Sequence, residues 1–231
     1  MVGEHAVSSS EDGTLKVWDL ARGAVTKTLE GHSHGILGLW ADAATSGAAP
    51  RVVSGGFDAD LRQWDVTKGR CVRTMAGHGG PVVSIEADDD KIVSSSFDGT
   101  LRVWNWDGHA RATLPAHDGH SSGLALLGDV AFSGGDDGLV KRCGPTSAPS
   151  AAPASPGARL TRPKIDTKIA HHRWDLRTET CTDAVEAHSG AVWSVRASEA
   201  LLLSASTDCA LKLWDLRAPV RMRVPRRRAG A

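Results

Sequence analysis

Short segments in which apolar and polar residues alternate recur along the chain. Period-two alternation predicts strands with one buried face in LKVW (15–18), LRVW (101–104) and LKLW (211–214). Asp-Gly pairs shortly before the first two segments predict tight turns, as in hairpins that link two strands. PVVSIEA (81–87) and AVWSVRA (191–197) predict further short strands. The pattern therefore predicts an all-β chain built from short, hairpin-linked strands.

These strands belong to a repeat of about forty residues. In four uninterrupted copies an Asp lies six residues before a Trp, and a Ser lies four residues before that Asp. The Asp and Trp pairs are Asp12 and Trp18, Asp58 and Trp64, Asp98 and Trp104, and Asp208 and Trp214. A His precedes the Asp by 20 residues at His78, His117 and His188, and by 26 residues at His32, where AATSGAAP (43–50) enlarges a loop.

The fourth repeat is interrupted. Ser133 and Asp137 follow the pattern, but Cys143 stands where the Trp is expected, and the motif resumes with RWDL further along. Removal of residues 143–173 would restore the six-residue spacing from Asp137 to Trp174. The removed stretch is rich in Pro, Ala and Ser, which predicts a disordered insertion. It is either a loop, with LVKR and RWDL pairing from either side, or translated intron sequence.

Four short strands per repeat, closed by Trp-Asp, resemble the WD-repeat family of β-propellers. The resemblance implies an all-β propeller of about five blades in a partial or truncated ring, with a strained five-blade ring as the structural alternative. The propeller would span 1–216, with repeat ends near 20, 66, 106, 176 and 216, and a basic tail would occupy 217–231. The phrase DDDKIVSSSFDGTLRVWNW (88–106) is more narrowly similar to repeats of F-box/WD substrate receptors of ubiquitin ligases.

In WD repeats, the His, the strand Ser, the turn Asp and the strand Trp form a hydrogen-bonded tetrad. The resemblance implies four tetrads here: His32, Ser54, Asp58 and Trp64; His78, Ser94, Asp98 and Trp104; His117, Ser133, Asp137 and Trp174; and His188, Ser204, Asp208 and Trp214. A Ser-His-Asp set would also suit a hydrolase, but a catalytic triad occurs once, whereas this set recurs in every complete repeat. The structural role is therefore favoured, and no catalytic residue is predicted.

Composition and the motifs that are missing argue against several classes of function. The 27 basic and 27 acidic side chains balance, which argues against a surface devoted to nucleic-acid binding. No apolar run approaches the roughly 20 residues that a membrane-spanning helix needs. The four Cys have no C-x-x-C spacing, and nucleotide-binding, zinc-protease and hydrolase motifs are missing. We therefore expect no metal, cofactor, small-molecule substrate or membrane insertion, and a cytoplasmic or nuclear location.

Propellers of the WD-repeat family act mainly as interaction platforms, so the resemblance implies a non-catalytic scaffold or adaptor that binds other proteins or peptide motifs. The residue before each turn Asp is expected on the partner-binding face, where Phe57 and Phe97 would be aromatic contacts. Trp193, five residues after its His, is expected near the same rim. The alternative is association with nucleic acid or a ribonucleoprotein through Arg226, Arg227 and Arg228 of the tail.

Overall fold

The computed structural model describes residues 5–42, 50–143, 173–175 and 180–217. Within these ranges every regular element is a β-strand, and the strands form five sheets, here called blades 1 to 5. The predicted all-β fold is thus confirmed. The described part of the chain holds no helix that is long and apolar enough to cross a membrane.

Strands that follow one another along the chain are neighbours within each blade. Blade 1 contains β1 (His5–Ser9), β2 (Leu15–Asp19) and β3 (Ala24–Leu29). Blade 2 contains β4 (Ile36–Asp42), β5 (Arg51–Gly56), β6 (Leu61–Asp65) and β7 (Arg70–Met75), and blade 3 contains β8 (Val82–Ala87), β9 (Ile92–Ser96), β10 (Thr100–Trp104) and β11 (Ala110–Pro115). Blade 4 contains β12 (Ser121–Leu127), β13 (Val130–Gly135), β14 (Leu139–Cys143), β15 (Arg173–Asp175) and β16 (Thr180–Glu186), and blade 5 contains β17 (Val192–Ala197), β18 (Leu201–Ser206) and β19 (Leu211–Asp215).

The same tight turn precedes β2, β6, β10, β14 and β19. The residue after the turn Asp has a left-handed backbone in every blade, with φ between 63° and 82°. Glycine adopts this conformation without steric cost, and it occupies the position in three blades. Ala59 and Cys209 hold it in blades 2 and 5, where a side chain makes the conformation less favourable.

Successive blades stack face to face, and one apolar cluster fills each of the four junctions between them. At the junction of blades 2 and 3, Leu61 and Met75 of one blade pack against Ile85 and Trp104 of the next. The first strands β4, β8, β12 and β17 contact one another in turn, so they line a common axis. Successive side chains of a strand point to opposite faces of the sheet. Each blade therefore has two faces, and each face packs against one neighbouring blade.

Blade 5 has an apolar face that no described strand covers. Leu203 and Leu211 occupy the register positions that Val53 and Leu61 hold in blade 2, where blade 3 buries both. In blade 5, Leu211 is 73% exposed. Among the described residues, no apolar cluster joins blade 5 to blade 1, so the five sheets form an open arc, which confirms the predicted partial ring.

The third strand of a regular blade places its Trp between two neighbours. In blade 2, Trp64 of β6 pairs with Val52 of β5 on one side and with Cys71 of β7 on the other. A bulge between Gln63 and Trp64 sets this register with the outer strand. Trp64 is thus paired with both neighbouring strands of the blade.

In blade 4 this position is divided between β14 and β15. Cys143 pairs with Ala131 of β13, where a regular blade has its Trp. Trp174 lies instead beside β16, at the level of Cys181, and is the parallel neighbour of Cys143. Disorder is predicted for residues 143–173, but Cys143 lies in β14 and Arg173 in β15. The remainder of that prediction, residues 144–172, lies outside the described ranges.

Candidate functional site

The loops and turns at one end of the blades form a continuous layer, here called the loop face. It comprises residues 10–14, 30–35, 57–60, 76–81, 97–99, 116–120, 136–138, 187–191 and 207–210. Backbone hydrogen bonds join each turn to the loop beside it: the Phe57 N–H donates to the Gly35 carbonyl, and the Phe97 N–H donates to the Pro81 carbonyl. The same bond recurs in blades 4 and 5. The loop face is therefore held in place before any partner arrives.

Beneath the loop face, each predicted His, Ser and Asp set is joined by hydrogen bonds. The His Nδ1 atoms lie 2.8–2.9 Å from an Asp oxygen, and the His Nε2 atoms lie 2.7–2.9 Å from the Ser Oγ. These sets are His32, Ser54 and Asp58; His78, Ser94 and Asp98; His117, Ser133 and Asp137; and His188, Ser204 and Asp208. Trp64, Trp104 and Trp214 donate to the Ser of their own set at 2.8, 2.9 and 3.0 Å. The side chain of Trp174 lies outside the described residues.

The chemistry of Trp fixes the direction of this network, because an indole N–H can only donate. Trp104 donates to the Ser94 oxygen, the Ser94 hydroxyl donates to His78 Nε2, and the Nδ1–H of His78 donates to Asp98. We assign a neutral imidazole, since every polar atom then has a partner. Burial lowers the pKa of His78, against the opposing hydrogen bond to Asp98, and the same holds for His32.

The Ser, His and Asp of each set are connected as in the catalytic triad of a serine hydrolase. The Ser hydroxyl, however, is inaccessible to a substrate. Ser54, Ser94, Ser133 and Ser204 have no exposed surface. In three of the blades, the hydroxyl also accepts the indole N–H of a Trp. A substrate carbonyl cannot reach such an oxygen, so the sets tie the loop face to the strands below it.

The turn carboxylates of the tetrads hold negative charge on the loop face. Burial would raise the pKa of Asp208, but the N–H groups of Ala210 and Ser189 and the His188 ring donate to it and lower its pKa to about 2. In Asp98, hydrogen bonds likewise outweigh burial and place the pKa below its ordinary value. These carboxylates are ionised at neutral pH.

The three predicted partner contacts lie in different environments. Phe57 is 47% exposed and Trp193 is 60% exposed. Phe97 is half-buried and stacks on His120, with ring centroids 4.1 Å apart and planes 14° from parallel. His120 in turn lies 3.1 Å from the Asp136 carboxylate. Phe57 and Trp193 are therefore exposed to a partner, whereas the His120 ring covers part of Phe97.

Trp193 lies at a β-bulge. The register between β17 and β18 skips this residue, which has no opposite neighbour. Equivalent bulges occur in the other first strands at Leu37, Val83 and Ser122. A bulge re-aims the side chain of the extra residue: Leu37 is exposed like Trp193, whereas Val83 is half-buried and Ser122 is buried. Sequence reasoning missed the exposure of Leu37, although its five-residue offset from His32 matches that of Trp193 from its own His.

Near the axis, the strands surround a cavity of about 450 Å³. Its lining includes Leu37, Leu39 and Ile85, together with one ion pair. Arg196 of blade 5 reaches Glu86 of blade 3 at 3.1 Å, across the first strand of blade 4. Burial raises the pKa of Glu86, partly offset by Arg196. Among the described residues, no group of three or more His, Cys, Asp or Glu is placed to hold a metal ion.

Comparison with known proteins gives both a family and relatives. Telomerase protein component 1 of Mus musculus is 30% identical over 136 residues, which make up 58% of this chain and 4% of that protein. Its counterpart in Rattus norvegicus is 28% identical over 136 residues with the same coverage, so the chain spans about 4% of the length of these relatives. The family model "WD domain, G-beta repeat" matches 2–19, 23–65, 69–105 and 179–215. Because these segments make up more than half of the chain and coincide with the repeated strands and turns, the chain belongs to the WD-repeat family.

Proposed function

We propose that this WD-repeat chain is a non-catalytic interaction scaffold, or adaptor, that binds partner proteins or peptides on its loop face. The exposure of Phe57 on the hydrogen-bonded loop face, and of Trp193 in β17 two residues beyond its segment 187–191, carries the proposal. Exposed aromatic residues on a preorganised surface often dominate binding energy, because they bury a large area and lose little conformational freedom. WD-repeat domains generally serve as interaction scaffolds, which supports this function.

The absence of catalysis is part of the same proposal. Each recurring Ser-His-Asp set of the described chain has a fully buried hydroxyl, and its repetition suits a structural task.

We also propose a cytoplasmic or nuclear location. Among the cysteines whose side chains are described, Cys71 and Cys209 are free thiols, as is usual in reducing compartments.

A peptide-display library panned on the intact chain tests the proposed face, because such a library samples many candidate ligands at once. Selected peptides should bind the double variant Phe57→Ala with Trp193→Ala at least about tenfold more weakly than the unchanged chain, since aromatic hot spots contribute about 2 kcal/mol or more. Binding is measured by fluorescence anisotropy of the labelled peptides.

Val72→Ala is the matched control. Val72 is an exposed apolar residue on the outer strand β7, away from the loop face. Its variant should bind the selected peptides as the unchanged chain does. Peptides that bind all three proteins equally would place the interaction surface elsewhere.

The name of the two telomerase relatives favours a second candidate function, association with a nucleic acid or a ribonucleoprotein. The Arg-rich tail that would supply the contacts, with Arg226, Arg227 and Arg228, lies outside the described residues. A chain that ends at residue 216 should then lose salt-sensitive binding to labelled single-stranded RNA, measured by filter retention. Equal RNA binding with and without the tail would contradict this candidate.

A further inference from the structure

The charge of the loop face is strongly one-sided. The segments that define it contain ten carboxylates and neither Lys nor Arg. Four of the ten are the tetrad Asp residues, and the others are Glu11, Asp12, Glu30, Asp60, Asp118 and Asp136. The whole chain has 27 acidic and 27 basic residues, so more than a third of its acids lie on this one face.

Cations from the strands below neutralise part of this charge. Arg62 lies 3.9 Å from Asp60, and Lys141 lies 3.8 Å from Asp137. Both basic side chains are largely buried beneath the face. The hydrogen-bonded network of a tetrad has a neutral His, so the Asp that it holds keeps its negative charge.

Other carboxylates of the face are exposed and unpaired. Glu11, Glu30 and Asp118 are exposed and form no ion pair with another described residue. Glu11 also lies close to an aromatic contact. A Cβ atom built on Gly35 would lie 2.9 Å from the Glu11 carbonyl oxygen, and the Gly35 carbonyl accepts the Phe57 N–H. Gly35 therefore contacts the backbone of both Glu11 in blade 1 and Phe57 in blade 2.

Between blades 3 and 4, an aromatic ring is linked to an acid through a His. Phe97 stacks on His120, and the His120 ring lies 3.1 Å from the carboxylate of Asp136. Along the face, the residues before the turn Asp are thus acidic in blade 1, aromatic in blades 2 and 3, and acidic in blade 4. Exposed apolar surface is flanked on both sides by negative charge.

We propose that the loop face recognises a cationic peptide segment, in which Lys or Arg side chains lie among the carboxylates and apolar side chains pack on Phe57 and Trp193. This inference rests on the proposed function and names the chemistry of its partner. Carboxylates pair with guanidinium and ammonium groups, and Trp faces attract cations. The long-range field of the face also speeds the encounter with a basic partner.

The chain itself holds one Arg by the same combination of groups. Arg51 lies 4.5 Å from the ring centroid of Trp106, and it binds the carboxylates of Asp42 and Asp89 at 2.8 Å each. A phosphate backbone would instead meet repulsion from the unpaired acids of the loop face. The loop face is therefore unsuited to a nucleic acid, which would have to bind on another surface, such as the tail.

Three short labelled peptides of equal length test the proposal on the intact chain: alternating Arg and Leu, Gln and Leu, and Glu and Leu. The Arg peptide should bind at least about tenfold more tightly than the Gln peptide at low salt, and this advantage should shrink toward about 0.5 M salt. The double variant Glu11→Gln with Asp118→Asn should weaken the Arg peptide about two- to tenfold. Glu199→Gln with Asp107→Asn removes the same two charges outside the loop face and should change nothing.

The outcomes separate this inference from the proposed function. Equal binding of the Arg and Gln peptides, lost from both in Phe57→Ala with Trp193→Ala, would overturn the cationic partner and leave the aromatic contact face standing. Tightest binding of the Glu peptide, or no binding of any of the three, would also overturn the inference. So would Arg-peptide binding that neither the acid variants nor the aromatic variants weaken, because the peptide would then bind elsewhere.

Discussion

At the scale of single residues, the hydroxyl of Ser94 is the junction of a complete tetrad. It accepts the indole N–H of Trp104 and donates to His78, and it is fully buried. Ser94→Ala leaves both partners buried without a hydrogen bond, and each such loss costs about 1–3 kcal/mol. We expect the free energy of unfolding to fall by about 2–4 kcal/mol, measured by equilibrium urea denaturation.

Blade 1 offers a matched control for this substitution. Ser8 holds the same position and accepts the indole N–H of Trp18 at 2.9 Å, but the bond is exposed and no described His joins it. Ser8→Ala should therefore cost less than about 1 kcal/mol, because water can replace the lost partner. Equal losses for the two variants would contradict the role assigned to the buried network.

The neutral state of the tetrad His makes stability depend on pH. Burial lowers the pKa of His32 and His78 in the folded chain, whereas the unfolded chain takes up these protons near the ordinary value of 6.5. The unfolded state therefore binds more protons below about pH 6.5, and stability falls as pH decreases from there toward the folded pKa. Urea midpoints measured between about pH 7.5 and pH 5 should fall steadily.

Two substitutions identify the groups responsible for this slope. His78→Gln lowers stability at every pH, but it should flatten the dependence because one buried titrating ring is gone. His109→Gln changes an exposed His on the turn between β10 and β11, and it should leave the slope unchanged. An unchanged slope in His78→Gln would show that other groups cause the acid sensitivity.

At the scale of elements, the junction of blades 3 and 4 departs from the others. A Cβ atom on Gly55 would lie 2.5 Å from Val82 of the next blade, and Gly134 has the same relation to Val192. The equivalent positions at the junction of blades 3 and 4 are Ser95 and Ser121, both fully buried with hydroxyls that have no hydrogen-bond partner among the described residues. Two small polar residues thus replace a Gly and a Val.

Ser95→Gly combined with Ser121→Val should therefore stabilise the chain by about 1–2 kcal/mol. The change removes two unsatisfied hydroxyls and buries apolar surface, against the entropy cost of a strand Gly. Ser121→Val alone should destabilise, because Val meets the Ser95 side chain at a contact that elsewhere requires Gly. Urea denaturation of both single variants and the double variant measures the coupling, and purely additive effects would contradict the pairing of these two positions.

The elements differ in how far sequence predicts them. The second and third strands are predictable because the Ser, Asp and Trp offsets lie within one hairpin. The stacking of Phe97 on His120 is not, since the two residues meet only through packing of adjacent loops. The bulge at Trp193 and the exposure of Leu211 escape prediction for a similar reason. Leu211 has the same local sequence context as Leu61, and whether a neighbouring blade covers it decides its burial.

At the scale of the whole molecule, each blade packs on its neighbours in chain order, so stability approximates a sum over blades and junctions. Blade 5 joins the remainder mainly through the apolar cluster that it shares with blade 4. In blade 4, Cys143 continues the third strand beside β13, while Trp174 continues it beside β16. The divided strand therefore lies in the blade that connects blade 5 to the arc.

Deletion of residues 143–173 should strengthen this connection. Trp174 would then lie six residues after Asp137, and one continuous third strand could pair with both β13 and β16. We expect a steeper thermal transition by circular dichroism and a higher midpoint, by about 2–4 °C for each kcal/mol gained. Deletion of 144–172 alone is the control, because it shortens the chain almost equally but leaves Trp174 eight residues after Asp137 and out of register with Ser133. An equal rise for both deletions would attribute the gain to the shorter connection rather than to the restored register.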